Sequence, residues 1–167
     1  MKCTFVINEI KKKCGNVEEL SQIGWHFVYN TRHYAYMQSK RKDELHFSMP
    51  HVFDYSEYEI NKLTKVINDT NLNVKFVKVV LLKSGSVSLD YYHKLLQGEQ
   101  ISNIVPHIID ALDFASNYLE NKLKELGDIK TEIEKLTAGE EIVNNKPVVN
   151  ANGNTNDEEI VVTTGGN

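Results

Sequence analysis

Residues 76–91 read FVKVVLLKSGSVSLDY, two apolar runs joined by a Ser-Gly pair at positions 84–85. Glycine at such a connection supplies the positive φ that tight β-hairpins need. The first run is almost wholly apolar, which is typical of a central strand buried on both faces. The second alternates apolar residues, from Val87 to Tyr91, with polar ones, so one face should pack on a core. This stretch predicts an antiparallel hairpin.

Helical spacing flanks this hairpin on both sides. Upstream, Ser56 and Glu59 have the spacing of a capping box, and the apolar residues after them predict a helix from about residue 57 to 70. Downstream, a long helix should begin near Ser102, with a buried stripe of Ile101, Val105, Ile108, Leu112, Ala115 and Leu119. Beyond Gly127 the spacing continues, either within the same helix or in a separate amphipathic one.

The N-terminal half reads mainly as strands. Residues 25–30, 33–38 and 44–49 alternate with a period of two, which predicts an antiparallel meander whose third strand loses its regular pairing at Pro50. Residues 4–13 and 16–23 are predicted as short helices. Whether the first 24 residues form one helix, two, or a helix and a strand stays open at this point.

The element order predicts an α+β fold, in which an antiparallel sheet of about five strands, a meander plus a hairpin, packs against two main helices. Residues 1–137 are expected to form a single domain. Residues 138–167 are rich in Asn, Gly and Thr and carry the whole formal net charge of −4, so we expect a disordered acidic tail. An alternative is a short strand at residues 159–163 that pairs with an exposed sheet edge.

Composition argues against several classes of protein. The basic residues show no concentration along one face, as non-specific nucleic-acid binding requires. No apolar run approaches the ~18 residues of a membrane span, and no secretory leader is evident. We therefore expect neither nucleic-acid nor membrane partners. Cys3 and Cys14 cannot build a disulfide scaffold, so we expect the protein to be in a reducing cytoplasm.

Signatures of catalysis are also missing from the sequence. It contains no phosphate-binding glycine loop and no nucleophile elbow, so we expect neither a cofactor nor enzymatic activity. Neighbouring lysines would lower the pKa of Cys14 modestly, but no histidine partner is assignable. Asp110 and Asp113 share a helix face opposite the apolar stripe, where such pairs are usually solvated.

The order of motifs in the second half is similar to a known pattern. In that pattern a helix ends in an Asn-containing motif, a strand carries basic and apolar residues, and a Gly turn and a second strand follow. The matching residues here are INDTNLNVKFVKV at 67–79, Ser84-Gly85, and SLDY at 88–91. Over residues 16–123 the chain resembles the YbjN family of sensory-transduction regulators, with a type III secretion chaperone-like fold. The turn at residues 39–43 departs from the acidic, glycine-containing turn frequent in that family. The resemblance implies no catalytic residues, a fold that holds other polypeptides, and frequent dimerisation.

Aromatic residues on the strands provide the candidate site. They predict a surface that binds a polypeptide partner or a second copy of the chain, formed by Trp25, Tyr34, Tyr36, Phe47, Tyr91 and Tyr92. An alternative is a small-ligand or metal site lined by His33, His46 and nearby tyrosines. A third is an adaptor whose working part is the acidic tail.

Overall fold

The computed structural model describes residues 2–143, except for the side chains of Lys2, Glu57 and residues 128–143. The elements in chain order are α1 (Lys2–Cys14), β1 (Val17–Leu20), β2 (Gly24–Tyr29), β3 (Arg32–Met37), β4 (Glu44–Asp54), a 3-10 turn (Tyr55–Glu57), α2 (Ile60–Asn73), β5 (Val77–Leu81), β6 (Ser86–Lys94) and α3 (Ile101–Val143). The chain divides into two units at Ile129, and the whole sheet belongs to the first of them.

The strands form one open antiparallel sheet in the order β1-β2-β3-β4-β6-β5. The predicted α+β class with an antiparallel sheet is therefore confirmed. The sequence reading placed β5 in the centre, and this is wrong: β5 is an edge strand, paired with β6 alone among the described residues. Only one face of β5 is packed on the core: Val77 and Val79 are buried, whereas Lys78 is exposed.

The core lies between one face of the sheet, called here the inner face, and the helices. The apolar stripe predicted on α3 is confirmed, because Val105, Ile108, Leu112, Ala115 and Leu119 are fully buried. α1 adds Val6 and Ile10, and α2 adds Leu63 to the same cluster. The opposite, outer face of the sheet carries the residues of the other parity, among them His26, His33, His46 and Tyr92.

The predicted helix at 16–23 is wrong, since Val17 to Leu20 form β1, an edge strand paired with β2. Backbone pairing to an already formed strand outweighs the weak helical spacing of three apolar residues there. The open question at the N-terminus is thus answered by one helix and one strand. In the predicted capping box, Glu59 itself is the N-cap residue and makes no side-chain cap hydrogen bond, so α2 begins only at Ile60.

Pro50 interrupts pairing as predicted, because the register between β4 and β6 shifts between Met49 and Phe53. β4 nevertheless continues to Asp54. At the other end of the chain, α3 is one continuous helix from Ile101 to Val143, which runs through the predicted tail boundary at 137/138. Residues 144–167 lie outside the described residues, and the disordered tail remains a prediction.

Candidate functional site

Most of the predicted aromatic surface lies in the core. Tyr34, Tyr36, Phe47 and Tyr91 are buried on the inner face, so they are not available to a partner in this fold, and for them the prediction is corrected. Their position follows from strand register: Tyr36 pairs with Phe47, and Phe47 pairs with Tyr91, which puts all three side chains on one side. Burial raises the pKa of Tyr36 to about 12.

The other two aromatic residues are accessible but lie on opposite faces. Trp25 is half-buried and stacks on Tyr36 at 5.4 Å between ring centroids, beside the start of α1. Tyr92 is exposed on the outer face and stacks on His46 at 4.0 Å. They do not share a surface, so the predicted site does not exist as one patch.

The histidines of the strands do not converge either. His33 lies against His26, with His26 Nε2 and His33 Nδ1 2.9 Å apart, whereas His46 faces Asp90. His46 pairs with Met37, four residues from His33 along β3. Among the residues whose side chains the structure describes, no group of three or more His, Cys, Asp or Glu could hold a metal ion. The predicted His33–His46 site is thereby corrected.

The Asp90 carboxylate on the outer face has a lowered pKa. Burial disfavours its charge, but hydrogen bonds from His46, Ser48 and Ser88 outweigh that effect and hold the pKa below the ordinary 3.8. A carboxyl whose pKa is lower in the folded chain stabilises the fold above its unfolded pKa, and this contribution is lost as the pH falls through the folded value.

We therefore expect the free energy of unfolding of the wild-type chain to fall more steeply than that of Asp90→Asn between about pH 5 and pH 3. Urea denaturation at several pH values measures both. Asp54→Asn, which removes an exposed carboxylate from the same strand as His46, provides the control. Parallel curves for Asp90→Asn and wild type would show that Asp90 is not held in this way.

The polar residues set aside as solvated or reactive are structural instead. Asp113 accepts hydrogen bonds from Arg32 Nη1 at 3.0 Å and from the Tyr34 hydroxyl at 3.2 Å, so it joins α3 to β3. Asp110 forms an ion pair with Lys13 at 2.7 Å. The interpretation as a solvated pair is therefore wrong for Asp113, whereas Asp110 is largely exposed to solvent. Burial raises the pKa of Cys14 to about 11, against the opposing effect of Lys13, which makes the thiol a poor nucleophile.

An open groove runs along the free side of β5, next to the C-terminal end of α2. We call it the edge groove; its volume is about 550 Å³, and it is lined by Asn71, Leu72, Val74, Lys75, Phe76, Val77, Lys78, Val79 and Val80. Two large apolar side chains in the groove are exposed to solvent: Leu72 is 84% exposed and Phe76 is 71% exposed. Exposed apolar groups beside an unpaired strand are features of binding surfaces.

The backbone edge of β5 is only partly satisfied by the chain itself. Leu82 donates its N–H to Ser86, and the antiparallel alternation therefore turns the peptide groups of Val77, Val79 and Leu81 away from β6. The side chain of Asn71 covers the middle one: its Oδ1 accepts the Val79 N–H at 2.8 Å, and its Nδ2 donates to the Val79 carbonyl at 3.5 Å.

Phe76, which precedes this edge, has an unusual backbone. Its φ is +68°, a left-handed conformation that a bulky side chain adopts only at a cost of about 1 kcal/mol or more. Asn or Gly would fit this position without strain, yet the chain places a large ring there and leaves it mostly in solvent. Strain combined with exposure is typical of functional positions.

Sequence reasoning missed the edge groove because β5 was placed in the centre of the sheet. Phe76 begins the run that is predicted as a buried strand, and Leu72 lies just beyond the predicted end of the preceding helix. The three lysines at 75, 78 and 83 were the available signal, since lysine is enriched on strand edges that face water.

Seven chains of solved structures resemble this chain. A crystal structure of an uncharacterized protein from Methanothermobacter thermautotrophicus aligns with a TM-score of 0.51 and 10% identity, over 75% of this chain and 98% of that one. A chain in the structure of the HopA1-SchA chaperone-effector complex aligns with the same TM-score and identity, over 70% of this chain and 91% of that one. The fold is chaperone-like. At such low identity the likeness concerns the fold alone, and it agrees with the predicted type III secretion chaperone-like class.

No family model and no curated protein matches the chain. Among the described residues, no helix combines the length and the apolar character that crossing a membrane would take.

Proposed function

We propose that this protein is a non-enzymatic, chaperone-like protein that binds polypeptide segments, and that the edge groove is the binding surface. The single observation that carries the proposal is Phe76, a strained and exposed aromatic residue at the start of an unpaired strand. The likeness of the fold to a chain of a chaperone-effector complex supports it.

The groove offers the two kinds of contact that extended peptides use. Unpaired peptide groups on β5 can form backbone hydrogen bonds with any sequence, and the apolar walls around Leu72 and Phe76 can hold side chains. An extended segment that adds to β5 would give the sheet a seventh strand beside its present six. Such binding involves no chemistry on the bound chain, which fits a groove without acids, histidines or thiols.

The relationship to YbjN proteins, action in the cytoplasm and the ability to form a homodimer belong to the same proposal. The order of elements over residues 16–123 supports the relationship to YbjN proteins, and the two free cysteines are compatible with a cytoplasmic protein. The exposed strand edge favours homodimer formation, because a free edge is a template for pairing with another copy.

The variant Phe76→Asn separates binding from stability. Asparagine tolerates left-handed backbone, so the free energy of unfolding should stay the same or rise by up to ~1 kcal/mol. Affinity for a permanently unfolded, carboxymethylated test protein, measured by fluorescence anisotropy on the full chain, should fall by about tenfold because an aromatic anchor is lost.

A matched control is Phe114→Gln, which removes another exposed ring, 61% accessible, from α3. Its affinity for the test protein should equal that of the wild type. The proposal is wrong if the wild type does not bind the test protein at all, or if both variants lose affinity equally.

A further inference from the structure

The two edges of the sheet carry opposite charge. At the β1 edge, Glu18 and Glu19 are exposed. At the β5 edge, Lys75, Lys78 and Lys83 are exposed. The sequence contains no acidic residue between Asp69 and Asp90. Within the part of the chain that the structure describes, the ion pairs leave out these three lysines.

Side-chain parity places the charge relative to the apolar wall. Lys78 pairs with Asp90 and lies on the outer face, whereas Val77 and Val79 point to the inner face. A strand added beside β5 would alternate in the same way, with every second side chain next to Lys78 and the others next to the apolar part of the edge groove. An acidic residue at the first kind of position and an apolar one at the second would complement the edge.

Asn71 already occupies part of the place that such a strand would take. Its primary amide presents one acceptor and one donor to Val79, as a peptide group of a neighbouring strand does. Val79 is the central residue of the free edge, with Val77 and Leu81 on either side. An incoming strand must therefore take over both hydrogen bonds of Val79 before it can pair along the whole edge.

We propose that the edge groove selects extended segments in which acidic and apolar residues alternate, and that these segments displace the Asn71 side chain from Val79. The inference rests on the function proposed above and adds the chemistry of the partner. Charge steers the partner to β5 and away from the acidic β1 edge, and the Asn71 amide satisfies the peptide group of Val79 while the groove is empty.

Short peptides test this with the full-length chain. One peptide alternates Glu with Val, a second alternates Lys with Val, and a third is the Glu peptide with N-methylated alternate amides. The Glu peptide should bind at least about tenfold more tightly than the Lys peptide, with an affinity that falls as salt is raised. The N-methylated peptide should bind weakly, because it cannot pair with the edge.

Two variants test the residues involved. Lys78→Glu should remove or invert the preference for the Glu peptide, whereas Lys124→Glu, an exposed lysine on α3, should leave it unchanged. Asn71→Ala should bind the Glu peptide severalfold more tightly, since no side chain has to be displaced. In the wild-type chain, the NMR signals of the Asn71 side-chain amide should move on addition of the Glu peptide.

The outcomes distinguish this inference from the proposed function. Equal affinity for the Glu and Lys peptides, or an unmoved Asn71 amide at saturation, would overturn the inference. If neither peptide binds while the unfolded test protein does, the choice of partner is wrong and the binding function stands. Failure of both peptides and the test protein to bind refutes both. If neither peptide binds but the chain self-associates, and Lys78→Glu abolishes this self-association, then the partner of the edge groove is a second copy of the chain.

Discussion

Gly24→Ala should lower the free energy of unfolding by about 3 kcal/mol, because the added Cβ would lie against the backbone carbonyl of Tyr36. The φ of Gly24 is +152°, which disfavours a side chain on its own account. Gly24 opens β2 at the point where it pairs with Met37 on β3, so the clash falls on backbone atoms that cannot move independently. Urea denaturation followed by Trp25 fluorescence measures the loss.

Gly85→Ala is the matched control for Gly24→Ala. Gly85 also has a positive φ, +94°, but an added Cβ would meet nothing within 4 Å. Its cost should be limited to the conformational penalty of about 1 kcal/mol. Equal losses for the two variants would contradict the close approach of β2 and β3 at Gly24.

Asp113→Ala should lower the free energy of unfolding by about 2–3 kcal/mol, since it leaves the half-buried Arg32 guanidinium and the buried Tyr34 hydroxyl without their shared acceptor. The Asp113 side chain is only 18% exposed, so water replaces it poorly. Glu120 retains its own bond to Arg32 at 2.9 Å, which keeps the loss below that of a fully orphaned charge. Chemical denaturation of the full chain gives the value.

Asp110→Ala tests the same helix face one turn earlier. Asp110 forms an ion pair with Lys13, but its side chain is 56% exposed, so the loss should stay below about 1 kcal/mol. The structural account of this cluster fails if Asp110→Ala is as destabilising as Asp113→Ala.

The local spacing of apolar residues was enough to predict much of the fold. The spacing of Val105, Ile108 and Leu112 identified the buried stripe of α3, and the two-residue alternation of residues 33–38 identified β3 as a strand. These signals are strong because burial of one face imposes a period on the sequence itself. The glycine at position 85 was likewise sufficient to locate the hairpin turn.

The order of the strands in the sheet could not be predicted from the local spacing of apolar residues. β5 is as apolar as a central strand, but its neighbour on one side is the end of α2, with Asn71 bonded to its backbone. A side chain that substitutes for a partner strand leaves no periodic trace. The same holds for Arg32 and Asp113, which lie far apart in sequence, so the isolated spacing of Asp110 and Asp113 suggested only a solvated face.

The predicted aromatic site failed for a related reason. Alternation assigns residues to two faces but does not say which face the helices cover. Tyr34, Tyr36 and Phe47 proved to be the core, and the exposed ring that matters to the proposal is Phe76, at the end of a run that looked buried.

Residue-resolved hydrogen exchange on the full-length chain tests the free edge of β5 most directly. In the chain alone, the amides of Lys78 and Val80, which point toward β6, should exchange slowly, and those of Val77 and Leu81 should exchange fast. Addition of the unfolded test protein should slow Val77 and Leu81 while the amides of β1 stay unchanged. Slow exchange of Val77 and Leu81 before any partner is added, or no change at saturation, would contradict a polypeptide-binding edge at β5.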